Sequence, residues 1–174
     1  MADDRELWER VNRGDTRAFE LFYRENAERL QGFLVQLLGA PQAAEDVMQE
    51  TFLQLWKRMN GFQPDGSLRA YLFGIARKQA AEWWRRRDPT REPGVEDTER
   101  PKAEAALLVG DAFARLGADQ RTLLWLREVE GQSYAELAQI LGIPVGTVRS
   151  RLSAARQELR LIWRGDRVVK KESA

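Results

Sequence analysis

The sequence predicts an all-α protein in which a flexible acidic linker joins two small helical domains. Apolar residues recur at helical spacing along most of the chain, and no segment shows the alternation that is typical of a half-buried strand. Residues 88–102 are rich in proline and acidic residues and poor in large apolar ones, as linkers are. The 174 residues suffice for two small domains, which we place at residues 1–87 and 103–174.

The composition excludes several kinds of chemistry. Because the sequence contains no cysteine and no histidine, the chain cannot form a disulfide, a Cys/His zinc site or a histidine general base. The sequence also has no phosphate-binding or dinucleotide-binding glycine motif, so we expect no cofactor, no metal and no enzymatic activity. No apolar run approaches the roughly 18 residues of a membrane span, and the N-terminal residues do not form a signal peptide. We therefore expect a cytoplasmic protein without membrane insertion.

The N-terminal half is predicted to begin with a short helix at 7–11 and a turn at 12–14. Asp15 or Thr16 can cap the second helix, which we expect to reach Leu38. Its buried side is predicted to comprise Ala18, Phe19, Phe22, Tyr23, Leu30, Phe33, Leu34, Leu37 and Leu38.

The third helix, at 42–59, has a wide apolar stripe that favours packing in a core. The stripe comprises Ala44, Val47, Met48, Thr51, Phe52, Leu55, Trp56 and Met59. The opposite face places one apolar residue among polar ones, and it comprises Asp46, Gln49, Glu50, Leu53 and Lys57. That face is either a solvated surface with one exposed leucine or a strip that docks a partner. The pattern alone favours the solvated surface, because single exposed apolar residues are common.

Residues 60–67 contain Gly, Pro and Asp-Gly and predict a loop, with Ser67 as the cap of a fourth helix at 68–87. Phe62 in this loop either tucks into the core or offers a platform for a stacked base. The helix ends in two tryptophans and three arginines: Trp83, Trp84, Arg85, Arg86 and Arg87. These arginines can complement the helix dipole, or they can form a surface for phosphates and bases.

The C-terminal half is also predicted to hold four helices. The first covers 104–116, and Asp119 is expected to cap a second that runs to about Val129, with Val129 on its buried side. The helix-turn-helix described next supplies the other two. The basic tail from Arg164 onward is expected to fray.

Residues 133–159 predict a helix-turn-helix. Ser133 and Glu136 form a capping box at the start of its first helix. Gly142 suits the left-handed end of that helix, and Pro144 suits the first turn of the next one.

The second helix of this motif, from about Val145, has one apolar face, which comprises Val148, Leu152, Ala155 and Leu159. Its other faces carry hydroxyl and guanidinium groups, which can contact phosphates and base edges in a major groove. These residues are Thr147, Arg149, Ser150, Arg151, Ser153 and Arg156. The pattern favours a DNA-reading helix, although a packed helical hairpin with a solvated basic face has the same spacing.

Three segments of the chain together resemble bacterial RNA polymerase sigma factors of the extracytoplasmic-function (ECF) type, in the sigma-70 family. They are AEDVMQETFLQLW at 44–56, SLRAYLFGIARKQAAEWWRRR at 67–87 and GQSYAELAQILGIPVGTVRSRLSAARQELR at 131–160. They occur in family order and spacing, with the acidic linker between them. The resemblance implies a σ2-like domain at 1–87 and a σ4-like domain at 103–174.

The resemblance also implies a role for each segment. The helix at 44–58 matches the σ2 helix that docks on the clamp coiled coil of the polymerase β′ subunit. For the polar face of this helix, the resemblance therefore favours a docking strip over a solvated surface. The implied polymerase-binding residues are Asp46, Gln49, Glu50, Leu53 and Lys57. The loop and helix at 60–87 match the part of σ2 that captures the −10 element as a single strand. The implied −10 residues are Asn60, Phe62, Lys78, Trp83, Arg85, Arg86 and Arg87.

The helix-turn-helix matches the σ4 motif that reads the −35 element in duplex DNA. The implied −35 residues are Ser133, Thr147, Arg149, Ser150, Arg151 and Arg156. The implied partners are core RNA polymerase, through its β′ clamp coiled coil and β flap, promoter DNA and an anti-sigma factor. Lys78 and Glu82 depart from the Asn and Asp that are common in the family, which bears on the −10 preference.

Two alternatives remain from the sequence. A stand-alone helix-turn-helix regulator would bind duplex DNA tightly as a dimer on a palindromic site. A protein-interaction adaptor would use the helix at 44–58 but would leave the arginines of the last helix without a role.

Overall fold

The computed structural model describes residues 4–59, 67–87, 112–113 and 115–172, with the backbone alone at 4–5 and 165–172. These residues form seven helices and no strand, which confirms the all-α prediction. The helices are α1 (Asp4–Asn12), α2 (Thr16–Leu38), α3 (Pro41–Arg58), α4 (Leu68–Arg87), α5 (Ala118–Leu124, continued by a π-helical turn at Trp125–Val129), α6 (Tyr134–Leu141) and α7 (Val145–Glu172). The predicted linker at 88–102 and most of the predicted helix at 104–116 lie outside the described residues.

Local capping signals set the start and end of α2. The Asp15 carboxylate accepts hydrogen bonds from the backbone N–H groups of Arg17 and Ala18, each at 3.1 Å. Its other oxygen pairs with Arg10 at 2.8 Å, and these hydrogen bonds hold the pKa of Asp15 below its ordinary value. Gly39 ends the helix in the left-handed region at φ 68°. The predicted cap at Asp15 is therefore confirmed.

Two predictions for the C-terminal half are wrong, the cap of α5 and the burial of Val129, which is 53% exposed at the end of the π-helical turn. Gly117, and not Asp119, is the N-cap of α5, and its backbone N–H donates to the Gln120 side chain at 3.2 Å. Asp119 instead lies in the first turn, where a carboxylate favours the helix dipole. The tail from Arg164 is helical as far as Glu172. That stretch has no proline, so a helix that has already nucleated can propagate through it.

The buried apolar residues form one cluster, with a layer in each half. In the N-terminal half, α1 to α4 close around fully buried residues of α2 and α4, and the Phe33 and Phe73 ring centroids lie 5.2 Å apart. In the C-terminal half, α5, α6 and α7 meet at Leu126, Leu137 and Leu152. These layers place the polar faces of α3, α4 and α7 on the outside.

The two halves pack against each other where α4 meets α6. Gly74 lies so close to Ile140 that a Cβ atom on the glycine would sit 3.8 Å from the Ile140 Cα. Trp125 reaches α2 at Gly32, where a Cβ would sit 3.8 Å from the indole ring. Arg69 also belongs to this contact, which we call the interdomain seam.

Arg69 makes the charged contact across the seam. Its guanidinium donates to the backbone carbonyl of Glu130 and lies 3.8 Å from the Glu130 Oε2. The Glu130 side chain is only 4% exposed. Burial raises the pKa of the Glu130 carboxyl above its ordinary value, and the positive charge of Arg69 opposes that shift.

Candidate functional site

The outer face of α3 is exposed along its whole length, as the spacing of its residues predicts. The predicted strip of Asp46, Gln49, Glu50, Leu53 and Lys57 lies on this face, and each of its members is exposed. Leu53 is 45% exposed, so an apolar side chain stands in water among carboxylates and amides. Such a surface can bind a partner that offers both an apolar contact and polar groups.

Two aromatic residues that were predicted to be buried lie beside this strip. Trp56 and Tyr23 are each 38% exposed. The Trp56 ring packs edge-on against Phe19 with centroids 4.8 Å apart, and the Tyr23 ring packs on Phe52 at 4.6 Å. The prediction that both are buried was wrong because each ring packs against a phenylalanine of the neighbouring helix and leaves its other side in water. Leu53, Trp56 and Tyr23 are thus three exposed apolar side chains of the α2–α3 pair.

The C-terminal end of α4 presents aromatic rings and arginines together. Trp84 fixes this end to α2, because its indole N–H donates to the Leu37 carbonyl at 3.2 Å. Trp83 packs edge-on against Trp84 at 5.0 Å and stays half-buried. The Arg87 guanidinium lies 4.4 Å from the Trp83 ring centroid, within cation–π range.

The other predicted −10 residues on α4 are also exposed. Lys78, Arg85 and Arg86 point into solvent, and Arg86 pairs with Glu82 at 2.8 Å. An i,i+4 pair on a helix surface is weak and can exchange for a phosphate. The predicted loop residues Asn60 and Phe62 lie outside the described residues.

The helix-turn-helix has the geometry that its sequence predicts. The Ser133 hydroxyl accepts from the Glu136 N–H at 3.2 Å, and the Ser133 N–H donates to the Glu136 carboxylate at 2.7 Å. Gly142 closes α6 at φ 67°. The Pro144 carbonyl then accepts the first hydrogen bond of α7. These short-range contacts set the angle between α6 and α7.

The basic face of α7 is free of the core. Val148, Leu152 and Ala155 are buried, while Leu159 is half-buried at the edge. Arg149, Ser150 and Arg151 are exposed, and Thr147 is half-buried with its carbonyl accepting from the Ser150 hydroxyl at 3.0 Å. The structure therefore presents guanidinium and hydroxyl groups together on one outward face.

A tyrosine that the sequence did not single out holds two arginines next to this face. The guanidinium carbons of Arg127 and Arg149 lie 5.0 Å and 5.8 Å from the Tyr134 ring centroid. Arg156, which is predicted to contact DNA, pairs with Glu128 at 2.7 Å in the free chain. The hydrogen bonds that Arg156 donates to Glu128, and after them the nearby Tyr134 hydroxyl, raise the pKa of Arg156 above its ordinary value. No short-range sequence signal links these positions, because they come from three helices.

The part of the chain that the structure describes contains no group of acidic residues arranged to hold a metal ion. None of its helices has the length and apolar character needed to cross a membrane.

Comparison with known proteins identifies the family. The model of sigma-70 region 2 matches residues 22–90, and the model of sigma-70 region 4 matches residues 106–159. The RNA polymerase sigma-H factor of Pseudomonas aeruginosa is 34% identical over 176 residues, which cover 90% of this chain and 91% of that protein. This chain belongs to the sigma-70 family. Its relatives include the ECF RNA polymerase sigma-E factor of Haemophilus influenzae, 31% identical with 88% and 92% coverage, and they place it in the ECF group.

Solved structures agree with this assignment. CnrH, solved in complex with the cytosolic domain of CnrY, matches this sigma factor with a TM-score of 0.75 and 26% identity, covering 94% of this chain and 98% of that one. The sigma factor RpoE, solved with the anti-sigma factor NepR from Bartonella quintana, matches with a TM-score of 0.67 and 27% identity, covering 84% and 96%. The chain is thus a promoter-directing sigma factor with a helix-turn-helix, and its relatives are transcription regulators.

Proposed function

We propose that this sigma factor binds core RNA polymerase through α3, captures the −10 element with α4 and the loop before it, and reads the −35 element with α7. One observation carries the proposal. A single chain of this family exposes an apolar–acidic face on α3, an aromatic–basic end on α4 and a hydroxyl–guanidinium face on α7. Each surface has the chemistry of a different partner.

The α3 face supports docking on the β′ clamp coiled coil. Leu53 and Trp56 supply apolar area, and burying one such side chain contributes about 1.5–3 kcal/mol. The carboxylates of Asp46 and Glu50 on the same face favour a partner with basic groups. Gln49 and Lys57 complete the strip, and the σ4-like half is proposed to contact the β flap.

The end of α4 supports capture of a single strand. An unpaired base can stack on the exposed part of Trp83, while Lys78, Arg85 and Arg87 neutralise nearby phosphates. Arg86 can also neutralise a phosphate once its ion pair with Glu82 breaks. We retain Asn60 and Phe62 as candidates for holding the flipped base, because turn residues beside an aromatic residue suit that task.

The outward face of α7 supports reading of duplex DNA. Arg149 and Arg151 can make bidentate contacts to guanine in the major groove, and Ser150 and Thr147 can bond to a base or a phosphate. Ser133, at the exposed N-terminus of α6, is placed to approach a phosphate.

Simultaneous engagement of both promoter elements requires the interdomain seam to open. Sites separated by more than one turn of duplex are about 35 Å or more apart. In the free chain α4 and α6 pack so closely that a Cβ atom on Gly74 would lie 3.8 Å from the Ile140 Cα, so the two helices would have to separate. When two domains that each bind DNA weakly are linked in one chain, promoter affinity depends on the spacing between the two elements. An anti-sigma partner is also proposed, because the similar factor RpoE was solved with one.

Transcription with purified components tests the proposal. Core polymerase with this chain is incubated with genomic DNA from the organism that carries it, and the transcript 5′ ends are sequenced. We expect new start sites whose upstream regions share two elements at a fixed spacing. No gain over core polymerase alone would refute the proposal. A gel shift with the chain alone provides a further check, since tight duplex binding without polymerase would favour a stand-alone regulator.

A further inference from the structure

We infer that Tyr134 is a positioning residue for −35 recognition: its ring holds Arg149 at the DNA-reading face, while Glu128 retains Arg156 within the protein. The inference rests on the proposed function of α7 as the −35 reader. It assigns different roles to two arginines that the sequence pattern treats alike.

The position of the ring carries the first part of this inference. Tyr134 is the first residue of α6, directly after the capping box, so its backbone is fixed by Ser133. Its half-buried ring lies within 6 Å of Arg127 from the end of α5 and Arg149 from the start of α7, at 5.0 Å and 5.8 Å. A ring face attracts a guanidinium group at such distances.

Arg127 has a second restraint that Arg149 lacks among the contacts described. Its Nη1 donates to the backbone carbonyl of Gln132 at 2.7 Å, which ties Arg127 to the loop before α6. The Tyr134 ring orients the guanidinium plane of Arg149 and leaves the N–H groups at its edge available for a base. An arginine that is already oriented loses less conformational freedom on binding, so Tyr134 increases the gain from a correct base contact.

Arg156 is held by two hydrogen bonds to one carboxylate. Its Nε and Nη2 donate to the same Glu128 oxygen at 3.1 Å and 2.7 Å. Contact with a DNA phosphate would require Arg156 to leave Glu128. We therefore assign Arg156 to the scaffold that joins α5 and α7, and not to the DNA contact.

Retaining Arg156 has a consequence for specificity. Each additional phosphate contact steepens the salt dependence of DNA binding by about 0.9 in a plot of log K against log salt, and it does so on any sequence. Glu128, which is 54% exposed, also places a negative charge near the DNA-reading face. The Glu128–Arg156 pair thereby limits affinity for unrelated DNA without affecting the base contacts of Arg149.

Three variants of the full chain, assembled with core polymerase, test these roles. Binding is measured to a promoter fragment, to fragments with substituted −35 bases and to unrelated duplex DNA, each over a range of salt concentrations. Y134F keeps the ring and should retain wild-type −35 discrimination within twofold. Y134L removes the ring and should lower discrimination about threefold. Circular dichroism of each variant checks that the helices remain formed.

The third variant, E128Q, releases Arg156. It should bind unrelated DNA more tightly, with a salt dependence steeper by about 0.9. E158Q is the matched control, because Glu158 is an exposed acid on α7 and its loss changes the net charge equally. Equal salt slopes for E128Q and E158Q would overturn the role given to Glu128.

Two further outcomes separate this inference from the function on which it rests. If the wild type discriminates between −35 sequences and Y134L does so equally well, the positioning role is wrong while the proposed function stands. If the wild type shows no −35 discrimination, both fall. A loss of discrimination in Y134L that Y134F restores supports the inference, because a general packing role for residue 134 would not depend on the ring in this way.

Discussion

Replacing Arg69 with alanine should separate the two halves of the free protein. Arg69 donates to the Glu130 carbonyl and is the cation nearest to a carboxylate that is 4% exposed. In R69A the closed form would still keep that carboxylate out of water. Only the weaker electrostatic attraction of Arg29 would then stabilise its negative charge. The chain can relieve this cost by opening the interdomain seam.

The expected shift is large enough to measure. Removing one partner of a buried ion pair costs about 3–5 kcal/mol. The Arg69 side chain is 27% exposed and its distance to the carboxylate is 3.8 Å, so solvent weakens the pair and we take about 2 kcal/mol. That energy corresponds to a shift of about 30-fold toward the open form. The R24A variant is the control, since the Arg24–Glu20 pair has side chains that are 71% and 58% exposed.

Energy transfer between two labels measures the closed fraction directly. Because the sequence contains no cysteine, one cysteine can be introduced in each half and labelled without competition from native thiols. Gln42 and Gln157 are exposed and suit this purpose. R69A should lower the transfer efficiency, whereas R24A should not. Equal efficiencies in R69A and the wild type would show that Arg69 does not hold the halves together.

The same experiment has a pH dependence with a defined sign. Burial raises the pKa of the Glu130 carboxyl in the closed form above its ordinary value, which we take for the open form. The closed form therefore binds more protons. Closure is favoured at pH values below the ordinary pKa of the carboxyl and weakens as pH rises through its raised pKa. E130Q has no carboxylate at this position and should lose this dependence. A wild-type closed fraction that grows with pH would contradict the assignment.

Three further predictions concern docking, DNA reading and stability. L53D should weaken binding to core polymerase by about 10-fold or more, because the complex would lose a buried leucine. L21D, at a site that is 52% exposed, is the control and should bind normally. Equal affinities of L53D and the wild type in a competition assay would rule out the α3 face. R149A should lower −35 discrimination by about 1–3 kcal/mol in holoenzyme binding, and an unchanged base preference would demote it to a phosphate contact. S133A removes one half of the capping box and should lower stability by about 1 kcal/mol, so an unchanged melting temperature by circular dichroism would argue against the cap.

The sequence was informative where structure depends on neighbours in the chain. The cap at Asp15, the capping box at Ser133 and the left-handed glycine at Gly142 each involve partners within a few residues. Such contacts form from local dihedral and hydrogen-bond preferences, so their residue types are diagnostic. The same reasoning placed the exposed face of α3, because helical spacing alone separates that face from the core.

The sequence was misleading where the outcome depends on how far a neighbouring helix extends. Trp56 and Tyr23 lie at the margin of the α2–α3 contact, and no pattern within one helix shows where that contact ends. The Arg69–Glu130 contact joins positions 61 residues apart, and only tertiary packing brings them together. The cluster around Tyr134 was missed for the same reason, since Arg127 and Arg149 come from different helices.

The interdomain seam combines a charged contact with apolar packing. The buried apolar residues of the two halves form one cluster, and the seam adds the Arg69–Glu130 ion pair, whose carboxylate is 4% exposed. Opening the seam would return that carboxylate to water, which favours separation, because a buried charge is costly. Opening would also expose apolar surface that the two halves share, which favours closure. The closed fraction therefore reports the balance of these two effects, and R69A tests the contribution of the charged contact to it.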